Sequence, residues 1–257
     1  MGRVYHLDLT KAMLRGAKVA LLPGDPFRSE PIAAEISRAY GGRSERLAWK
    51  REYCTYLVGV GGRSGNVLVT STGIGGPSTS IAIDELARLG VRTFIRVGTT
   101  GAIQSRIKTG DVVITTGSVR LDGASTHYAP IEYPAVASHD VTSALVRGAE
   151  DAGVKSHLGV TASSDTFYPG EERGDSFRKY TIKRFQGHTR ELRKLHVLNY
   201  EMESSTVLVL TASMGLGGGC ITGVVNRGGT GNVTKKSLKT GEESVIRAAV
   251  AALAHLK

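Results

Sequence analysis

With 257 residues and only two cysteines, the chain can bury a sizeable core with no disulfide or thiolate framework, and α/β domains of this length often form single units. No apolar run reaches the roughly 18 residues that span a bilayer, and Met1-Gly2-Arg3-Val4-Tyr5-His6 lacks the apolar stretch of a secretion signal, so one soluble, intracellular domain (1–257) with no membrane partner is expected. The 33 Lys and Arg against 23 Asp and Glu give a formal charge of +10, suited to nucleic acid or small anions; the basic residues are scattered, with local clusters at Arg43 to Arg51 and Arg178 to Arg193, which weakens the nucleic-acid reading without removing it.

Along the chain, Val19-Ala20-Leu21-Leu22 belongs to a predicted strand (18–22) that runs into the tight turn Pro23-Gly24-Asp25-Pro26, with Arg28 just beyond. Gly59 to Gly65 reads as a glycine-rich hairpin turn, followed by a strand over 66–71. Pro77 near a first turn, Ile81, Leu86 and Leu89 on one face, and Gly90 past the end predict a helix over 77–89. Further strands are expected over 93–97, 111–115, 157–162 and 220–225, most of them buried on both faces. Asp140 is the expected cap of a helix that ends near Gly153, and Val207 to Met214 is an apolar helical run. Asn226 to Leu238 is polar, glycine-rich and aperiodic, in the position after a strand where lids occur. A final helix, about 242–256, carries Val245, Ile246, Ala249, Val250 and Leu253 at helical spacing. This alternation predicts a three-layer α/β/α sandwich with a central mixed β-sheet, without internal repeats. Cys54 and Cys220 lie in apolar, strand-like stretches and read as buried free thiols, in keeping with a reducing cytosol.

The stretch Phe94-Ile95-Arg96-Val97-Gly98-Thr99-Thr100-Gly101-Ala102 places an arginine on an apolar strand that enters a glycine- and threonine-rich turn. Together with Gly24 and Arg28 it describes two strand ends that offer amides, hydroxyls and guanidinium groups, the donors an oxyanion needs. Asn199-Tyr200-Glu201-Met202-Glu203-Ser204 sets two carboxylates two residues apart before an apolar helix. Such a pair suits the vicinal hydroxyls of a sugar, because an ionised carboxylate only accepts; attraction of acids to a helix N-terminus is the alternative. Ser163 to Arg173 combines Phe167 and Tyr168 with Glu171 and Arg173. A flat heterocycle could stack on Phe167 and hydrogen-bond to Glu171 and Arg173, or the aromatics could be core and the charged residues a solvated pair. His6 reads as a surface residue near a mobile N-terminus. The other histidines, His127, His139, His157, His188, His196 and His255, lack metal-ligand spacing, and Ser78 lacks a G-x-S-x-G elbow. Neither a catalytic metal nor a serine nucleophile is expected.

Phosphate donors, a carboxylate pair and a base pocket together describe a site for a nucleoside plus phosphate. The chain resembles the nucleoside phosphorylase-I family, and within it the bacterial uridine-cleaving branch. The likeness is carried by Tyr5-His6-Leu7, Pro23-Gly24-Asp25-Pro26, Ser71 to Ser78, Arg96 to Gly101, Val119 to Ser125, Ala162 to Gly170 and Asn199 to Ser204. It implies reversible phosphorolysis of uridine or related pyrimidine nucleosides to the base and ribose 1-phosphate, with phosphate as co-substrate and no cofactor. Gly24, Arg28, Arg96 and Thr99 would hold phosphate, with Arg51 reaching in from a neighbouring subunit. Met202 and Glu203 would seat the ribose, and His6 of the neighbour would meet its 5′-hydroxyl. Thr100, Gly101, Phe167, Glu171, Arg173, Val224 and Val225 would surround the base, and Arg96, Glu203 and Arg173 would be the catalytic groups. A homohexamer of three dimers is implied, with a monovalent cation such as K+ at Glu52, Ile74 and Ser78.

The chain departs from the family pattern at several points. Glu171 stands where the family has a uracil-reading glutamine, and a carboxylate there can accept from N3–H without donating; a protonated Glu171 could restore a donor, which the neighbouring Arg173 would oppose by lowering its pKa. Gly228-Gly229-Thr230-Gly231 is richer in glycine than the usual lid. Val225-Asn226-Arg227 lacks the acid that purine-cleaving relatives use to protonate N7, which favours a pyrimidine. The rival readings are a purine or broad-specificity phosphorylase, a hydrolytic nucleosidase, and a non-catalytic nucleoside- or RNA-binding protein.

Overall fold

A computed structural model describes residues 2–61, 65–228 and 232–256. The strands are β1 (Val19–Leu22), β2 (Ser44–Lys50), β3 (Tyr53–Gly61), β4 (Gly65–Thr70), β5 (Thr93–Ala102), β6 (Val112–Leu121), β7 (Ala135–Val136), β8 (Ser156–Ser164), β9 (Asn199–Glu201) and β10 (Gly217–Arg227). The helices are α1 (Ser29–Tyr40), α2 (Gly76–Leu89), α3 (His139–Asp151), α4 (His188–Lys194), α5 (Ser204–Ser213) and α6 (Lys235–Ala252).

The strands form one mixed sheet in the order β10-β6-β8-β9-β5-β1-β4-β3-β2, with β7 on β6. Strand β10 pairs with β6 on one side and with β5 on the other, so β5, β9, β8, β6 and β10 close into a ring. β5 is parallel to both β1 and β10, which brings the ends of these strands to one edge of the sheet, the place where open α/β sheets collect ligands. One core layer packs α1, α3 and α6 on the sheet through Ile32, Ile36, Val141, Leu145, Val245 and Ala249. On the other face α2 and α5 contribute Ile83, Leu86, Val207 and Leu210, joined by Leu7, Leu9 and Leu14 of the N-terminal segment. α5 is buried from Ser204 to Thr211, so its apolar residues face the sheet on one side and α2 on the other.

The predicted α/β/α sandwich is therefore observed, with several local corrections. The last helix starts at Lys235 rather than 242, because Thr234 and Ser237 form a capping box in which Thr234 Oγ1 accepts from Ser237 N at 3.1 Å and Ser237 Oγ accepts from Thr234 N at 3.0 Å. It passes at Leu253 into a short 3₁₀ turn. β10 runs on to Arg227, so the expected loop over 226–238 shrinks from both ends; its residues 229–231 lie outside the described residues. So do 62–64 of the expected hairpin turn, whose flanking Gly59, Gly61 and Gly65 are strand residues. Ser138, not Asp140, is the residue at the N-cap of α3. Cys54 and Cys220 are buried and free. Among the described residues no helix is long and apolar enough to cross a membrane.

The seating of α6 on β10 depends on two glycines. A β-carbon at Gly223 would overlap the Gly241 carbonyl oxygen, well inside van der Waals contact, and one at Gly241 would meet Val225 Cγ1 at 2.7 Å. The Gly223→Ala substitution should therefore push α6 off the sheet and lower stability by about 1–3 kcal/mol. The check is the urea unfolding midpoint; a midpoint equal to that of the parent protein would show that the helix yields without cost.

Candidate active site

A cavity of about 610 Å³ opens at the edge of the sheet where β1, β5, β9 and β10 end. At its floor lies Arg96 of β5, whose side chain is 6% exposed. Its Nε donates to Glu201 Oε2 at 2.7 Å and its Nη2 to Glu203 Oε2 at 2.5 Å. Gly98 makes room for the guanidinium, since a β-carbon there would stand 2.6 Å from Nη2. Nη1 points toward the turn after β1, where a β-carbon at Gly24 would lie 3.9 Å from it. Burial opposes the charge on Arg96, but Glu203 and Glu201 outweigh it and keep the group cationic.

The two carboxylates do not share the role expected of a sugar-gripping pair. Glu201 ends β9 with its side chain wholly buried, and besides Arg96 it accepts from the backbone N–H of Glu203 at 2.8 Å, from Ser204 N at 2.9 Å and from Ser204 Oγ at 2.5 Å. It thus serves the N-terminus of α5, where both the free amides and the helix dipole favour an anion. Glu203 occupies the N-cap position of α5 and accepts from Gly75 N at 2.6 Å, at the start of α2. Burial pushes its carboxyl up, against the pull of Arg96. Two hydrogen bonds leave lone pairs on Glu203 for a ligand.

Arg28 closes the short 3₁₀ turn Pro26–Arg28 that Asp25 caps, accepting from Phe27 N at 2.9 Å. Its Nε and Nη2 donate to Glu242 Oε1 of α6 at 3.0 and 2.6 Å. Gly24, Arg28, Arg96 and Thr99 all line the cavity. Thr100, Gly101, Phe167, Glu171, Val225, Met202 and Glu203 line it as well. Thr100 is held by donating to the Tyr200 carbonyl at 2.5 Å and accepting from Asn199 Nδ2 at 2.7 Å. Arg173 lies over the Phe167 ring, Cζ 4.4 Å from its centroid, and donates to Asp175 at 3.1 and 2.8 Å. Its buried Nη1 has no partner. Glu171 is 5% exposed. Burial pushes its carboxyl up to about 8, against Arg173, with Glu201 and Glu203 adding to the rise. The opposition expected from Arg173 is outweighed: its guanidinium is committed to Asp175, and desolvation prevails.

Most of the expected site thus gathers in one place, and the exceptions are specific. Val224 is buried without lining the cavity, and Arg173, stacked on the lining residue Phe167, does not line it either. Arg51 is exposed and adopts a left-handed backbone, φ 53°. His6 is not on a mobile end: its Nδ1 lies 2.7 Å from Glu85 Oε1, and the same carboxylate accepts from the amides of His6 and Leu7. Glu52 and Ile74 line the cavity mouth, and Ser78 Oγ donates to the Ile74 carbonyl at 3.4 Å. Sequence reasoning missed Glu242, which reads as an ordinary solvent-facing acid on an amphipathic helix, and Asp175, whose only signal is its place two residues after Arg173. It also missed Glu85, a carboxylate on the buried face of α2.

A model of the phosphorylase superfamily matches residues 18–257. The chain is 50% identical over 254 residues to the uridine phosphorylase of Escherichia coli K12, covering 98% of both. It is 43% identical over 243 residues to the uridine phosphorylase of Thermococcus kodakarensis, 94% of this chain and 82% of that protein. A guanosine phosphorylase of Halorubrum lacusprofundi is 36% identical over 204 residues, 79% of this chain and 76% of its own.

Removing the cation from this floor tests the site's electrostatics. Arg96→Met leaves Glu201 and Glu203 facing each other unpaired, which should cost about 3–5 kcal/mol of stability. Glu203, whose carboxyl burial already pushes up, then ionises at lower pH in the unfolded chain than in the folded one, so the deficit should grow as pH rises above the ordinary carboxylate range and shrink in acid. Denaturant titrations of parent and variant at acid and neutral pH measure this; a deficit independent of pH would mean that the carboxylates find other partners.

Proposed function

The chain belongs to the phosphorylase superfamily, and we propose that it is a pentosyltransferase that cleaves uridine reversibly with inorganic phosphate to give uracil and ribose 1-phosphate. The observation that carries this reading is the seat of Arg96: one guanidinium touches the sugar-side acceptor Glu203 and faces the backbone of Gly24, on the floor of a cavity that ends on Phe167 and Glu171. An oxyanion bound there sits directly below a sugar whose hydroxyls reach Glu203. The uridine phosphorylases at 43% to 50% identity support uridine as the nucleoside.

The Gly24 amide, Arg28, Arg96 and Thr99 hold phosphate; Glu203 accepts from ribose hydroxyls while Met202 packs on the sugar. The C1′–N1 bond breaks with its electron pair going to the base. The oxocarbenium-like sugar lies against the phosphate oxygen that captures it, forming the new C1′–O bond. Charge developing on the base spreads to its carbonyl oxygens, where Arg173 Nη1 is an available donor that stays protonated. The departing base then takes a proton from solvent. Asn226, not an acid, lines the cavity on the base side, which supports a pyrimidine over a purine protonated at N7.

His6 and Arg51 complete the site of a second copy, and the protein works as a homohexamer of three dimers. Glu52, the Ile74 carbonyl and Ser78 are a set of hard oxygen donors, close enough together that a β-carbon at Gly73 would meet Glu52 Cγ at 2.9 Å and Ser78 Oγ at 3.1 Å. They fit a monovalent cation such as K+ between subunits. No organic cofactor takes part, and the setting is cytoplasmic pyrimidine salvage.

Uridine, thymidine, cytidine and inosine, each incubated with and without phosphate, test the reading: uracil should be released only when phosphate is present, and inosine should turn over poorly. Release without phosphate would make the protein a hydrolase, and preference for inosine a purine phosphorylase. Arg28→Gln removes a hydrogen-bonded cation, a loss of about 1.5–3 kcal/mol or roughly ten- to hundredfold, which should appear in the KM for phosphate. A rise confined to the KM for uridine would displace Arg28 from the phosphate. Light scattering should give the mass of six chains; a fully active monomer would contradict the shared site.

A further inference from the structure

Among the described residues, Glu171 is the one buried carboxyl lining the cavity that makes no hydrogen bond or ion pair. It is 5% exposed, beside Phe167, and the other unpartnered polar atom of the same loop is the buried Arg173 Nη1. A buried polar group without a partner is costly unless a ligand supplies one. We propose that Glu171 reads the base as a neutral carboxylic acid, its carbonyl oxygen accepting from ring N3–H and its hydroxyl donating to an adjacent ring carbonyl, so that ionisation of this group sets the alkaline limit of base binding. The proposal rests on the uridine-cleaving reading and identifies the group that selects the base.

The chemistry follows from complementarity. The edge of uracil presents one N–H between two carbonyls, a donor flanked by acceptors. A carboxylate offers only acceptors and meets a carbonyl repulsively, whereas a carboxylic acid offers one donor beside one acceptor. Arg173 Nη1, buried and unpartnered on the same loop, is a further donor.

The groups facing Glu171 favour the neutral form. On its own loop Arg173 attracts a charge, but its guanidinium is shared with Asp175. From β9 come Glu201 and the Tyr200 phenol, and from the start of α5 Glu203, with Arg96 already taken up by the two glutamates. A phosphate dianion bound at the far end would add a further negative charge. Burial together with these carboxylates raises Glu171 to about 8.

The test compares the parent with Glu171→Gln, an amide of the same shape that keeps the donor and acceptor at every pH. With phosphate saturating, kcat/KM for uridine is measured from about pH 6 to about pH 9. Ionisation of the substrate is common to both proteins and cancels in their ratio. The variant-to-parent ratio should be nearly constant on the acid side and rise about tenfold per pH unit once Glu171 ionises. The change should lie in the KM for uridine, with the KM for phosphate following the same course in both. Infrared spectra at neutral pH should show a carboxylic acid carbonyl band in the parent that Glu171→Gln removes. A ratio flat across the range, or no such band, overturns the proposal and leaves the phosphorolysis reading standing. Absence of phosphate-dependent uracil release from both proteins at every pH overturns the two together.

Discussion

Burying the Arg96 guanidinium between two carboxylates is the constraint on which the rest of the site depends. Each ion withdrawn from water costs several kcal/mol, so the partners must be held at fixed positions for the arrangement to persist. Three chain segments supply them: β5 delivers the arginine, β9 ends on Glu201, and Glu203 stands at the N-cap of α5. Glu201 also satisfies the first amides of α5. The same carboxylate therefore fixes the arginine and the start of the helix that carries Glu203. Gly75, which donates to Glu203, ties in the start of α2. Two helices and two strands thus converge on one guanidinium, and Gly98 must lack a side chain for it to fit.

The opposite end of the cavity follows a different logic. Arg173 is stacked on Phe167 and paired with Asp175, which leaves only Nη1 open, and Glu171 is desolvated without a partner. One end is charged and heavily hydrogen-bonded in the absence of ligand; the other keeps polar groups unmet beside an aromatic face. A ligand with a charged head and a flat, hydrogen-bonding tail satisfies both ends at once, and neither end alone would specify it. The ring closure of β5, β9, β8, β6 and β10 holds the two ends at a set distance, because β5 and β9 contribute to each.

The parts of this arrangement legible in the sequence are those with a local signal. An arginine on an apolar strand before a Gly-Thr turn, the Pro77 to Gly90 helix and the buried cysteines are visible because residue type and spacing within a few positions decide them. Glu201 and Glu203 could be found, but their division of labour could not, since nothing local distinguishes an acid that serves a helix N-terminus from one that faces a ligand. Glu242 reaches Arg28 from the far end of the chain, and its meaning exists only after α6 has been seated on β10. β2 was missed because its burial pattern is mostly exposed, without the alternation of a half-buried strand. The start of α6 at Lys235 lay in a polar segment where Thr234 and Ser237 outweigh the missing apolar period.

The charges at the phosphate end do not balance within one chain. Arg28 and Arg96 contribute two formal positive charges, and Glu201, Glu203 and Glu242, which pair with them, three negative ones. A phosphate dianion would carry that sum from −1 to −3 in a partly desolvated space, where such an excess is unfavourable. Three changes reduce it: a further cation enters, Glu242 leaves Arg28, or Glu203, which burial already pushes up, takes a proton. Protonating Glu203 would remove the acceptor that the sugar hydroxyls need, and withdrawing Glu242 would give up its two hydrogen bonds from Arg28. A cation from outside the chain answers the imbalance without either loss. That is the role proposed above for Arg51 of a second copy, which is exposed and follows β2 in a left-handed turn next to the cavity residue Glu52.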